Sequence, residues 1–171
     1  MILAVANNWT ARKGLEDILS IRESLDDQYV IVVVGLNEEK VRMLPAGIIG
    51  ITRTNSIEEL VQYYSAADVF INPTYEDTFP TTNIEAMACG TPVITYDTGG
   101  SPESLSPQTG MIIPRGDRNA LSQAIEQICN TWDRDAVRSV CRNRATDCFR
   151  KEDRFQEYFQ LYQSLLNQSC L

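Results

Sequence analysis

Histidine is absent from this chain of 171 residues. The absence excludes zinc sites of the cysteine–histidine type and every catalytic triad that depends on a histidine base. Cysteine is scarce, and no two cysteines form a Cys-x-x-Cys pair. Because an odd number of cysteines cannot pair completely, we expect reduced thiols and a cytoplasmic location. The cysteines are Cys89, Cys129, Cys141, Cys148 and Cys170.

Three motifs of other nucleotide-binding and hydrolytic proteins are also missing. No Gly-x-Gly-x-x-Gly follows the first apolar run, which disfavours a dinucleotide-dependent dehydrogenase. Neither Gly-x-x-x-x-Gly-Lys-Ser/Thr nor Gly-x-Ser-x-Gly occurs. The sequence therefore excludes P-loop NTPases and α/β-hydrolases of the nucleophile-elbow type.

The chain has few basic residues relative to acidic ones, and it has no long apolar run. Lysine and arginine number 15 against 23 acidic residues, which gives a net charge of −8. This balance disfavours nucleic acid or an anionic membrane as a partner, since both attract a basic surface. No apolar run approaches the roughly 20 residues of a membrane span, and the first residues lack the pattern of a signal peptide.

What the chain does contain is an alternation of short apolar runs with helix-compatible segments. We predict strands near residues 2–6, 29–34, 48–51, 69–72, 93–96 and 110–113, separated by helices. Such alternation indicates βαβ units and a parallel sheet. The length suits one α/β domain over 1–171, Rossmann-like, with about six parallel strands flanked by helices. A helical tail is expected over about 135–168, and we interpret its apolar stripe from Phe155 to Leu166 mainly as core packing.

The most informative segment is an acidic loop followed by a predicted helix over about 81–89. Helical spacing places Ile84, Met87 and Ala88 on one face, which we expect to be buried. Asp77 lies in the loop and Glu85 about two turns later, at the rim of the same cleft. A helix N-terminus attracts an anion such as a diphosphate, and a nearby carboxylate can accept hydrogen bonds from a ribose diol. The combination predicts a nucleotide-sugar site.

The same segment resembles the Glu-x7-Glu signature of retaining glycosyltransferases of family 4, a large group with the GT-B fold. Asp77 takes the first acidic position and Glu85 the second, with Phe79 at the aromatic position between them. Pro80 replaces the usual glycine and so removes one backbone N–H. The similarity covers nearly the whole chain. It continues through Ala86-Met-Ala-Cys-Gly-Thr-Pro-Val-Ile to Gly99-Gly100-Ser101-Pro102-Glu103, and back to Val33-Val34-Gly35 and Arg12-Lys13-Gly14.

The resemblance implies the donor-binding, C-terminal half of a two-domain enzyme, with the N-terminal acceptor-binding domain absent from residues 1–171. The implied reaction transfers a hexosyl-type sugar from a nucleoside-diphosphate sugar to a glycan or lipid-linked acceptor, with retention and without metal or cofactor. By the same resemblance Lys13 contacts the donor diphosphate, as do the N–H groups of Thr81 and Thr82. Glu85 holds the ribose, and Asp77, the candidate catalytic residue, orients the transferred sugar.

Two positions stay open at this level. The family often has an arginine five or six residues before the lysine, and here either Arg12 or Asn8 takes its place. Arg53 follows the third predicted strand, in the loop that contacts the nucleobase in the resembling family. A contact of Arg53 with the base or ribose is as well supported as a role as a solvated surface charge.

Other functions remain compatible with the residues. A GT-B-type sugar-nucleotide epimerase would share the fold and donor, and a non-catalytic nucleotide-sugar-binding module would bind without turnover. Surface-glycan synthesis is a hypothesis for the pathway. Membrane association could arise through the missing domain, since no span is visible in this chain. In the resembling family a C-terminal helix crosses back onto the other domain, so the alternative for the stripe is that part of it is exposed in an isolated half.

Overall fold

The strands follow the β-branched and apolar runs of the sequence. The computed structural model describes residues 1–168, so Cys170 lies outside the described residues. The strands are β1 (Ile2–Val5), β2 (Ile31–Val34), β3 (Ile48–Ile51), β4 (Val69–Asn72), β5 (Val93–Tyr96) and β6 (Gly110–Ile113). All pair in parallel in the order β3-β2-β1-β4-β5-β6, which confirms the predicted Rossmann-like sheet.

Helices cover both faces of this sheet. They are α1 (Leu15–Ile21), α2 (Glu38–Arg42), α3 (Ile57–Ala66), α4 (Thr81–Ala88), α5 (Arg118–Thr131), α6 (Arg134–Phe149) and α7 (Lys151–Gln168). On one face, α1 and α5 contribute Ile18 and Ile125 to a buried cluster. On the other face, α3, α4 and α6 contribute Tyr64, Met87 and Cys141. α6 is therefore part of the packed body.

Strand order reverses between β1 and β4, which are neighbours in the sheet although two strands separate them in sequence. In open α/β sheets, ligands bind outside the carboxyl ends of the strands at such a switch point. The loops after β1 and β4 therefore meet where a ligand is expected.

The expected buried face of α4 is wrong in part. Ala88 is exposed, and the buried positions are Asn83, Ala86 and Met87. Asn83 can occupy a core position because Asn72 donates to its side-chain oxygen (2.9 Å) and its amide donates to Ser104 (3.0 Å). A buried amide with partners on both sides carries little penalty, and helical spacing alone does not reveal it.

Among residues 1–168, no disulfide joins Cys89, Cys129, Cys141 or Cys148. Burial raises the pKa of the Cys129 thiol to about 11 and that of Cys141 to about 12. Both remain protonated near neutral pH and behave as small apolar side chains.

The core-packing interpretation of the α7 stripe is wrong, because its side chains lie on the surface. Phe155 and Tyr162 are each 61% exposed. α6 ends at Phe149, and the backbone of the next residue, Arg150, is extended, so the chain changes direction before α7 begins. Within residues 1–168, no helix is both long and apolar enough to cross a membrane.

A chain ending at Arg150 should keep nearly the full stability of the body. Since α7 exposes its side chains, we expect its removal to lower the free energy of unfolding by less than about 1 kcal/mol. Urea titration followed by circular dichroism measures this. A loss of several kcal/mol would show that the exposed stripe supports the body after all.

Candidate functional site

A cavity of about 560 Å³ lies at the switch point, hereafter the switch-point cavity. The loop after β1, the loop after β4 and the first turns of α4 supply its walls. Every candidate residue except Arg53 lines it. These residues are Arg12, Lys13, Asp77, Phe79, Thr81, Thr82 and Glu85, together with Asn7, Asn8, Thr10 and Leu60 among others.

Lys13 and Asp77 form a direct ion pair across this site. The ammonium of Lys13 lies 2.6 Å from Oδ2 of Asp77, and both side chains are partly buried. The pair also borders a second cavity of about 450 Å³, lined in addition by Glu76, Thr78 and Gly99. The sequence placed both residues in the cleft without predicting their contact, since they are 64 positions apart.

Two glycines let the loops of this pair lie close to their neighbours. Gly14 has φ of 72°, and a Cβ there would lie 2.0 Å from the carbonyl oxygen of Pro73. Gly99 has φ of 51°, and a Cβ there would lie 2.0 Å from the carbonyl oxygen of Asp77. Both backbone conformations also favour glycine. The loops that carry Lys13 and Asp77 are therefore fixed by close backbone approach.

The N-terminus of α4 faces the same cavity. Pro80 is the residue before the helix, and in the described part of the chain no side chain caps this end. The first N–H groups of a helix have no partner within it, so those of Thr81 and Thr82 can donate to an anion. Lys13, lining the same cavity, adds a full positive charge.

Glu85 lines the cavity from the second turn of α4, and its side chain is exposed, as predicted. No ion pair to Glu85 occurs among residues 1–168. Its carboxylate accepts one hydrogen bond, from the buried hydroxyl of Tyr64 (3.0 Å). Burial, followed by the nearby charge of Glu85, raises the pKa of Tyr64, so this hydroxyl stays a donor. Tyr64 was not singled out from the sequence.

Three other candidates occupy the margins. Arg12 pairs with Glu76 at 3.3 Å, and both side chains are largely exposed. Arg53 lines an adjoining cavity of about 230 Å³ that shares Asn7 and Leu60 with the switch-point cavity. Phe79 is partly exposed and packs against Phe149, with ring centroids 5.9 Å apart.

A buried carboxylate that sequence reasoning missed supports the loop after β4. Asp17, on α1, accepts hydrogen bonds from the hydroxyls of Tyr75 (2.7 Å) and Tyr96 (2.7 Å) and from Nε of Arg118 (2.6 Å). The hydrogen bond to Asp17, followed by burial, raises the pKa of Tyr75. Burial, followed by the hydrogen bond to Asp17, raises the pKa of Tyr96. Tyr75 also donates its backbone N–H to the carbonyl of Arg12 (2.7 Å). Asp17 thus ties the loop carrying Asp77 to the body.

The arrangement can bind a ligand that combines an anion with vicinal hydroxyls. Lys13 and the α4 N-terminus supply the donors, and Glu85 supplies the acceptor. Within residues 1–168, no three acidic or cysteine side chains are grouped in a way that could hold a metal ion.

Comparison with known proteins places these features in a family. Residues 1–131 match the family described as glycosyl transferases group 1. The capsular polysaccharide biosynthesis glycosyltransferase CapM of Staphylococcus aureus is 28% identical over 115 residues, covering 66% of this chain and 30% of CapM. The chain therefore spans less than a third of that relative.

Solved structures agree with this placement. Sucrose-phosphate synthase from Thermosynechococcus elongatus superposes with a TM-score of 0.82 at 30% identity, over 98% of this chain and 46% of that one. HepE from Anabaena, solved in complex with UDP-glucose, shares the fold with a TM-score of 0.80 at 17% identity, over 95% of this chain and 48% of HepE. The chain belongs to the group 1 glycosyltransferase family.

Proposed function

We propose that this chain is the donor-binding half of a retaining glycosyltransferase that uses a nucleoside-diphosphate sugar. The observation that supports this most is the switch-point cavity, where Lys13, the α4 N-terminus and Glu85 face one space. Lys13 and the α4 N-terminus can bind a diphosphate, and Glu85 can bind the ribose attached to it. That HepE was solved with UDP-glucose, and that the chain spans about half of HepE, agrees with a nucleotide-sugar half-site.

The reaction assigns each group a role. Lys13 and the N–H groups of Thr81 and Thr82 neutralise the diphosphate, whose charge grows as it leaves the sugar. Glu85 accepts hydrogen bonds from the ribose hydroxyls. Asp77 orients the transferred sugar, and its position between the two cavities supports this role. Retention, a hexosyl-type sugar and a reaction without metal follow from the resemblance to family 4.

The neighbouring candidates take lesser roles. Arg12, held by Glu76, takes the place of the usual arginine more readily than Asn8, because only a cation can add to the charge of Lys13. Arg53 meets the nucleobase, a role that its position in the adjoining cavity supports. Phe79 forms part of the wall beside the α4 N-terminus. A missing acceptor-binding domain would complete the cleft, so this chain alone should bind donor and transfer no sugar.

Titration with uridine, guanosine and deoxythymidine diphosphates by calorimetry tests the proposal. We expect weak but measurable binding of at least one of them. Absence of binding to all three would contradict the donor-site assignment, and sugar transfer by the isolated chain would contradict its being half of the enzyme.

Changing Glu85 to glutamine should weaken binding of the preferred nucleotide about tenfold. The amide keeps the shape but loses the charge, and hydrogen bonds to a charged group are worth roughly 1.5–3 kcal/mol. Because Glu85 is exposed, the melting temperature should change little. The matched control is Glu126→Gln, an exposed glutamate on α5, which should leave affinity unaltered. A large stability loss with unchanged affinity would make Glu85 a structural residue.

A further inference from the structure

Among residues 1–168, only Tyr64 donates a hydrogen bond to the Glu85 carboxylate. The hydroxyl donates to Oε2 over 3.0 Å, from α3 to α4. Tyr64 is 1% exposed, whereas Glu85 is exposed to the cavity. A buried donor therefore holds an exposed acceptor.

The tyrosine itself is fixed from several sides. Its ring packs edge-on against Phe70 with centroids 5.5 Å apart. Thr91 donates its hydroxyl to the backbone carbonyl of Tyr64. Tyr64 also belongs to the buried cluster formed by α3, α4 and α6 against the sheet. The hydroxyl position is thus set by the core and does not depend on a ligand.

A held carboxylate binds a diol better than a free one. An exposed glutamate samples many rotamers, and ordering its side chain on binding opposes affinity. With Oε2 engaged by Tyr64, Oε1 and the remaining lone pair of Oε2 stay available for two adjacent hydroxyls. Support from a second residue with a locked rotamer is what a preorganised site requires.

We propose that Tyr64 is a positioning residue that orients the Glu85 carboxylate toward the ribose diol, which rests on the proposed donor site. Tyr64 touches no substrate. Its contribution is selective: it strengthens binding of nucleotides that carry both ribose hydroxyls and does nothing for those that lack them.

The test compares Tyr64→Phe with the unmodified chain, using uridine and guanosine diphosphates and their 2′,3′-dideoxy forms. For whichever of the two nucleotides binds, we expect affinity for the ribose form to fall about three- to tenfold, the effect of one lost hydrogen bond. Binding of neither, with deoxythymidine diphosphate bound instead, would overturn the inference, because a deoxyribose has no vicinal diol. Affinity for the dideoxy form should stay within about twofold. In the Glu85→Gln background, adding Tyr64→Phe should lower the affinity for the ribose form little further. Tyr63→Phe, a half-buried neighbour on α3, is the matched control.

The outcomes separate the two proposals. If Glu85→Gln lowers affinity for the ribose form selectively and Tyr64→Phe does not, Tyr64 has no positioning role although the donor site stands. Equal losses for ribose and dideoxy forms on Tyr64→Phe would make it a purely structural residue. If Glu85→Gln itself fails to discriminate, both the role of Glu85 and the inference built on it are wrong.

Discussion

Replacing Lys13 with alanine is expected to weaken nucleoside diphosphate binding about 10- to 100-fold while leaving nucleoside binding nearly unchanged. Two unit charges about 4 Å apart interact by roughly 4 kcal/mol at an intermediate dielectric, and desolvation removes part of this. Lys13 also screens Asp77, which lies 2.6 Å away at the same cavity. Without the lysine, that carboxylate faces the diphosphate unneutralised, and the repulsion adds to the loss.

The ion pair between Lys13 and Asp77 allows a second test of the same prediction. Asp77→Asn in the Lys13→Ala background should recover part of the affinity, because it removes the unscreened charge. The control is Arg42→Ala, which removes an exposed cation paired with Glu38 on α2 and should change affinity little. Calorimetry with a diphosphate and its parent nucleoside reads out both tests. Equal losses for the two ligands would remove Lys13 from the phosphate site.

Changing Asp17 to alanine should lower the free energy of unfolding by about 3 kcal/mol or more. Removing one partner of a buried ion pair typically costs roughly 3–5 kcal/mol. Arg118 is half-exposed and can turn to water, which favours the lower end. The hydroxyl of Tyr96 cannot reach water, because this residue is fully buried, and without Asp17 it has lost its acceptor. Urea unfolding followed by tryptophan fluorescence measures the change.

The neighbouring residue supplies the control for that experiment. Glu16 precedes Asp17 on α1 and is exposed, so Glu16→Ala should change the free energy of unfolding by less than about 0.5 kcal/mol. A loss below about 1 kcal/mol on Asp17→Ala would show that the tyrosines and the arginine find other partners. The loop carrying Asp77 would then be held mainly by the glycine contacts.

Local patterns predicted the sheet well. Continuous β-branched runs such as Ile31–Val34 are buried on both faces, and their strands lie where the sequence places them. Helix capping is equally local: Asp117, directly before α5, accepts a hydrogen bond from the backbone N–H of Ala120. These signals lie within a few residues of the structure they determine.

The sequence did not predict side-chain contacts between residues far apart in the chain. Asp17 has the sequence context of a solvated acid in a first helical turn, but its partners come from residues 58 to 101 positions away. The Lys13–Asp77 and Tyr64–Glu85 contacts likewise depend on which loops and helices the sheet order brings together. For α7, helical spacing predicted an apolar stripe and gave no information on whether anything covers it.

The central claim is that the switch-point cavity binds the nucleotide part of a sugar donor. Backbone amide chemical shifts, followed while uridine, guanosine or deoxythymidine diphosphate is added, test it most directly. We expect the largest changes to cluster at Lys13, Thr81, Thr82 and Glu85. Changes confined to the small cavity beside Trp132 at the opposite end of the strands, or no change with any of the three, would contradict it.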